Sequence, residues 1–165
     1  MARLRPLPFS AWRPAHWFAL AGVITAVDLI TKEWASAVLT LHRPVEVLPF
    51  VNLTLVHNPG AAFGILTDAG DWVRWFFIVL TIAIAIFIGW WLARGARGKV
   101  ELSAALSLIL AGAIGNLVDR VRFGYVVDFL DVHAFGWHWP AFNVADAAIT
   151  CGAILLIVLT LLGRD

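Results

Sequence analysis

The chain has 165 residues, of which 61% are hydrophobic and 14% charged, and its formal net charge is +1. A soluble domain carries about 25% charged residues; this composition, with a mean hydropathy of +0.86, excludes a soluble globular protein and points to an integral membrane protein. The length suits one compact bundle, a single domain over 1–165, and the near-neutral charge gives no basis for a nucleic-acid partner. The lone Cys151 lies in an apolar run, can form no internal disulfide, and reads as a small core residue.

Arg3, Arg5 and Arg13 with Pro6, Pro8 and Pro14 make a basic, irregular start. An apolar run over 17–39 follows, long enough at 1.5 Å per residue to span the roughly 30 Å hydrocarbon core. It is too long for a cleaved signal peptide, and Asp28, Lys32 and Glu33 interrupt it. Asp28 and Lys32 are four apart and share a helix face. They make either a mutual ion pair or a polar lining that faces a site, and the two readings are compatible.

Residues 40–71 differ in kind. Short alternations such as Val51/Leu53/Leu55 and two prolines predict strands or a hairpin lying on the membrane. His57-Asn58-Pro59-Gly60 reads as a turn, and 61–66 as a short interfacial helix before a loop to Asp71. The second span, 72–92, has Trp72 and Trp75 at one end and Trp90 and Trp91 at the other, two aromatic belts about one bilayer apart. It reads as a lipid-facing scaffold. The third span, 101–121, carries small residues over 111–115 that allow close helix approach, then Asn116, Asp119 and Arg120 on one face. The last two are either a structural clamp between helices or part of a site. The fourth span, 142–162, opens with Asn143 and Asp146, three apart on one face.

Arg3, Arg5 and Arg13, then Arg94, Arg97 and Lys99, then Arg164 all fall on one side of four spans, which the positive-inside rule makes cytoplasmic. Both termini are then cytoplasmic, and 40–71 and 122–141 are outside. The expected fold is an all-α membrane protein of four transmembrane helices, with a small extracytoplasmic β-rich cradle between helices 1 and 2.

Carboxylates near membrane depth are rarely left there without a function, and 112–150 holds Asp119, Asp128, Asp131 and Asp146. Spans three and four run in opposite directions, so Asp128 and Asp146 flank one hairpin at similar depth. Two carboxylates about 5 Å apart in an effective dielectric near 20 repel by about 3 kcal/mol, roughly two pK units. Such a pair holds one proton between its members. That suits an aspartyl protease, in which one carboxylate deprotonates water while the other polarises the scissile carbonyl. It equally suits a small proton or ion transporter, and a third reading has the polar residues only joining helices. A metalloprotease is disfavoured because His16, His42, His57, His133 and His138 form no HExxH. A serine or cysteine mechanism lacks a nucleophile paired with histidine.

Five segments break the tie. Val27-Asp28-Leu29-Ile30-Thr31-Lys32, Asn58-Pro59-Gly60-Ala61-Ala62-Phe63, Gly115-Asn116-Leu117-Val118-Asp119-Arg120, Val126-Val127-Asp128-Phe129 and Phe142-Asn143-Val144-Ala145-Asp146 occur in this order. With their spacing and the four-span layout, the chain resembles bacterial lipoprotein signal peptidase, signal peptidase II, over all but its tails. The resemblance implies a membrane aspartyl endopeptidase acting as a monomer, without metal or cofactor, in the bacterial inner membrane. It would cleave diacylglyceryl-modified prolipoproteins just before the lipidated cysteine, near the outer leaflet and among membrane lipids. It implies Asp128 and Asp146 as catalytic, with Asn58, Gly60, Asn116, Asp119, Arg120, Asn143, Asp28 and Lys32 around site and substrate. Pro59 departs from the family motif, where several members carry threonine.

Overall fold

A computed structural model describes residues 13–60, 72–94 and 99–163. The short helix expected over 61–66, the loop to Asp71, and the basic residues Arg3, Arg5, Arg97 and Arg164 lie outside the described residues. Four helices, each long and apolar enough to cross a membrane, carry the fold: α1 (Pro14–Val38), α2 (Trp72–Arg94), α3 (Val100–Arg122) and α4 (Val144–Leu161). They match the expected spans to within three residues at each end, and the chain is a multi-pass membrane protein.

Each boundary has a local cause. Pro14 stands at the first position of α1, where its missing N–H breaks no helical bond. Glu101 lies in the first turn of α3 and Arg120 and Arg122 in its last, complementing the helix dipole. α3 is the buried axis, packed against α1, α2 and α4, whereas α1 and α2 touch little. Small residues make this possible: a methyl on Gly112 would overlap the Ala145 carbonyl oxygen, and one on Gly115 the Asp28 carboxylate. The helices therefore meet along a glycine seam.

The apolar core lies at one end of the bundle. It combines Trp17 and Ala21 from α1, Ile88 and Leu92 from α2, Leu102 and Leu106 from α3 and Leu159 from α4. At the opposite end the buried residues turn polar: Asp28, Lys32, Asn116 and Asp119. Cys151, expected in the core, is exposed on the outer face of α4.

A four-stranded antiparallel sheet, ordered β1-β2-β3-β4, caps that polar end. β1 (Val45–Leu48) and β2 (Val51–Asn58) come from the α1–α2 connection, as expected. β3 (Val126–Ala134) and β4 (Trp137–His138) come from the α3–α4 connection. The cradle is thus not confined to the segment between helices 1 and 2, and the fold is not all-α outside it. β2 and β3 pair from Val51↔Val132 to Asn58↔Val126, with a bulge between Leu53 and Val56. This pairing joins segments far apart in the chain, as Val51 with Val132, and no local periodicity encodes it. The β3–β4 turn uses Phe135 and Gly136, both at positive φ (53° and 79°), the conformation of a tight hairpin.

Candidate active site

The last turn of α3, the strand β3 and the first turn of α4 converge beside the end of α1, and they bring Asp28, Lys32, Asn116, Asp119, Asp128, Asn143 and Asp146 into one connected cluster. Asp128 lies on β3 and is 1% exposed. Its Oδ2 accepts a hydrogen bond from Asn58 Nδ2 at 2.9 Å, and its Oδ1 one from Asn143 Nδ2 at 2.7 Å. Asp146, half-buried in the first turn of α4, accepts from Asn116 Nδ2 at 2.7 Å. Its other oxygen accepts from the Asn143 backbone N–H at 3.3 Å. Asn143 thus stands between the two carboxylates and donates to each.

Asn143 is not on the helix face expected for it. It is the N-cap of α4: its Oδ1 accepts from the Asp146 N–H at 2.9 Å while the Asp146 side chain accepts in return. The cap that starts the helix and the group that orients Asp146 are the same reciprocal pair. Asn58 also combines two roles. It ends β2, its Oδ1 accepts from Gly60 N–H at 2.9 Å as a turn residue would, and its amide holds Asp128. Gly60 has φ 92°, and a methyl there would also overlap the Phe77 ring, so glycine is required twice over.

Burial raises the Asp128 carboxyl, and the Asp146 charge raises it further. Hydrogen bonds from Asn58 and Asn143 and the Lys32 charge act in the other direction, and the outcome is a pKa of about 7. Asp128 therefore exchanges its proton near neutral pH, a useful property for a group that must give and take one.

Behind the pair lies a buried ionic network. Lys32 Nζ contacts Asp28 Oδ2 at 2.8 Å, Asp119 Oδ2 at 3.0 Å and Asn116 Oδ1 at 2.9 Å. Asp28 Oδ1 accepts from the Ala145 N–H at 2.8 Å, at the positive end of α4. Asp119 Oδ2 accepts from the Val127 N–H at 3.1 Å, one residue before Asp128. Asp28 and Lys32 pair with each other, as the first of their two readings expected, and the pair lies behind the two carboxylates. Asp119 likewise clamps α3 to β3 within the site.

Arg120 is held more loosely. Its Nη1 reaches the Asn116 carbonyl only at 3.5 Å, its guanidinium lies 5.2 Å over the Phe77 ring, and its buried Nε has no partner among the described residues. Its charge acts on Asp146, Asp128 and Asp119. A cation with an unused donor beside two carboxylates can take up an oxygen that becomes negative during a reaction.

Sequence reasoning missed several contributors. Asp131, three residues beyond Asp128 and so on the other face of β3, accepts from Asn52 Nδ2 at 3.0 Å and pairs with His138 Nδ1 at 2.9 Å. Burial raises its carboxyl, but His138 and Asn52 outweigh that and leave it below the ordinary value. This group ties β2, β3 and β4 together; the strand pairing that creates it has no sequence signature. Arg74, two residues inside α2, donates to carbonyls at the end of α3. Its signal was a single charge inside an aromatic span. A cavity of about 330 Å³, lined by His57, Tyr125, Val127, Lys32 and Asp119, opens behind the site. Because strand side chains alternate, it lies on the sheet face opposite Asp128. Among the described residues no group of three or more His, Cys, Asp and Glu is placed to hold a metal ion.

Comparison with known proteins decides the family. The model of the family described as Signal peptidase (SPase) II matches residues 20–162. The chain belongs to the signal peptidase II family. Two relatives are each named lipoprotein signal peptidase. That of Acinetobacter baumannii is 49% identical over 142 residues, covering 86% of this chain and 81% of its own. That of Teredinibacter turnerae is 46% identical over 147 residues, covering 89% and 88%. A solved bacterial membrane enzyme, determined by the in meso method at 1.9 Å, superposes with a TM-score of 0.79 at 36% identity, covering 89% of this chain and 93% of its own. Membership makes the chain an aspartic-type membrane protease, and the transporter reading falls away.

Proposed function

We propose that this signal peptidase II family member removes the signal peptide from diacylglyceryl-modified prolipoproteins, cutting just before the lipidated cysteine, with Asp128 and Asp146 as its catalytic pair. The observation that carries the assignment is the arrangement around Asn143, which donates to both carboxylates at once. Asn58 supplies Asp128 with a further donor, and Asn116 does the same for Asp146.

The chemistry follows from one proton shared by the pair. The ionised carboxylate takes a proton from water as its oxygen attacks the scissile carbonyl carbon. The protonated partner, Asp128 near neutral pH, donates to the carbonyl oxygen. A tetrahedral diol forms with no covalent bond to the enzyme. It collapses when the C–N bond breaks: the leaving nitrogen takes a proton from the carboxyl that first accepted one, and a diol hydroxyl returns its proton to Asp128 as the new carbonyl forms. Arg120, with its unused Nε, faces the developing charge. Asn58, Gly60, Asn116, Asp119, Asn143, Asp28 and Lys32 hold these groups in place. No cofactor enters the reaction.

Arg13, Arg94 and Lys99 all stand at the helix ends away from the sheet. The positive-inside rule then puts that end and both termini in the cytoplasm, and the sheet and dyad at the outer leaflet of the bacterial inner membrane. The substrate's acyl chains stay in the bilayer against exposed apolar helix faces. Every residue assigned to the site comes from one chain, so a monomer suffices.

The test is cleavage of a diacylglyceryl-modified prolipoprotein by purified protein in detergent with chelator. Wild type should cut, and folded Asp128→Asn and Asp146→Asn should each lose at least about a hundredfold in rate. Folded mutants that still cut would overturn the assignment.

A further inference from the structure

Helix α2 reads as lipid-facing scaffold, yet its first turns reach two sides of the site. A helix end leaves its last carbonyls without intrahelical partners. At the end of α3 two of them, those of Arg120 and Val121, accept from a residue of another helix. Arg74 Nε donates to the Arg120 carbonyl at 3.0 Å, and Arg74 Nη2 donates to the Val121 carbonyl at 2.9 Å. The Arg120 carbonyl also accepts from the Gly124 N–H at 3.1 Å, so both its lone pairs are used. Gly124, at φ 85°, turns the chain out of α3. The guanidinium covers this turn: a methyl on Gly124 would touch Arg74 at 3.5 Å. Four residues later comes Asp128.

Phe77 is three residues on from Arg74 and on the same helix face. Its ring lies beneath the Arg120 guanidinium at 5.2 Å and packs against Gly60, next to Asn58. The turn from α3 into β3 is therefore pinned from within by Asp119, which accepts from Val127 N–H, and from outside by Arg74. At this interfacial end of the span an arginine is free to snorkel into the headgroups, yet this one directs two nitrogens at protein carbonyls. The fork also matters: two nitrogens of one rigid plane meet two successive carbonyls, which a lysine ammonium on its flexible stem does not reproduce.

We infer that Arg74 is a positioning residue for the peptidase reaction, its guanidinium locking the α3–β3 turn so that Asp128 stays fixed against Asn143 and Asp146. This rests on the catalytic assignment made above. Arg74 touches neither carboxylate and acts only through the backbone that carries one of them.

The experiment uses full-length protein in lipid-supplemented detergent with a diacylglyceryl-modified prolipoprotein. It compares wild type, Arg74→Gln, Arg74→Lys and Arg122→Gln, the last removing a cation from the same helix end. kcat, KM and the alkaline limb of kcat are measured. Labelling of Asp128 by a membrane-permeant carbodiimide, which reacts with the protonated carboxyl, is followed against pH by mass spectrometry.

Arg74→Gln should lower kcat roughly tenfold or more, the scale of a small misplacement of a reacting group, with KM within about twofold. Its alkaline limb and Asp128 labelling midpoint should move together to lower pH as the loosened strand admits water. Arg74→Lys should fall between it and wild type, and Arg122→Gln should match wild type. Loss of thermal stability in Arg74→Gln with kcat, limb and labelling unmoved would overturn the inference. So would full restoration by Arg74→Lys, or an equal effect of Arg122→Gln. If Arg74→Gln does not fold, the kcat and labelling of Arg74→Lys decide the matter alone. A shifted labelling midpoint in an enzyme whose Asp128→Asn variant still cuts would refute the dyad while leaving the positioning of β3 intact.

Discussion

Lys32→Met tests whether the buried ionic network holds the bundle together at the site. The ammonium is 2% exposed and contacts two carboxylates, Asp28 at 2.8 Å and Asp119 at 3.0 Å, which are themselves 0% and 2% exposed. Methionine fills the stem volume but removes the charge. Two buried carboxylates then face each other without a cation. Breaking a buried pair by removing one partner costs about 3–5 kcal/mol, because a charge is left uncompensated. For a chain of this size each kcal/mol moves the melting point by about 2–4 °C. Lys32→Met should therefore melt on the order of 10 °C below wild type in detergent. Adding Asp119→Asn removes one orphaned charge and its repulsion with Asp28, so the double variant should recover part of the loss. The assay is thermal unfolding followed by circular dichroism on wild type, both singles and the double. A single-variant loss below about 1 kcal/mol, or a double variant that shows only the sum of the two losses, would refute the reasoning.

Asp128, with its pKa pushed up to about 7, must be protonated to act as the acid, so kcat/KM should fall as pH rises through that value. Asn58→Ala removes a donor that favours the ionised form, so the falling limb should move to higher pH; a limb that stays or moves lower would contradict the role given to Asn58. Gly112→Ala places a methyl on the Ala145 carbonyl oxygen, next to Asp146. It should destabilise by about 1–3 kcal/mol despite the better helix propensity of alanine and should slow cleavage. Gly22→Ala, with nothing within 4 Å of the added methyl, should do neither, and equal melting points for the two would argue against the glycine seam.

The four spans were legible because each is a predominantly apolar run of bilayer length with its own boundary signals, and the hydrophobic effect acts on it whatever its neighbours do. The polar residues of the site were legible for the complementary reason. Asp28, Lys32, Asn116 and Asp119 are conspicuous in apolar surroundings, and their spacing on a helix face places them together. The family resemblance then pointed to Asp128 and Asp146. The β3 and β4 strands were not legible: their partners are distant in sequence, and Val126–Ala134 carries apolar residues and two acids without clean alternation. Nor was the double role of Asn143, which depends on where α4 begins. Arg74 passed as an ordinary residue of an aromatic span, since only the approach of α2 to the end of α3 gives its donors carbonyls to meet.

By itself the sequence determined that this chain lies in a membrane, how often it crosses, and which carboxylates it keeps there, because burial of apolar length and the expense of charge are properties of single segments. Which donor holds which carboxylate, and that Asn143 reaches both, was decided only when the helices and strands packed. Hydrogen bonds of about 3 Å depend on the placement of groups far apart along the chain, and that placement is set jointly by the glycine seam, the buried lysine and the β2–β3 register.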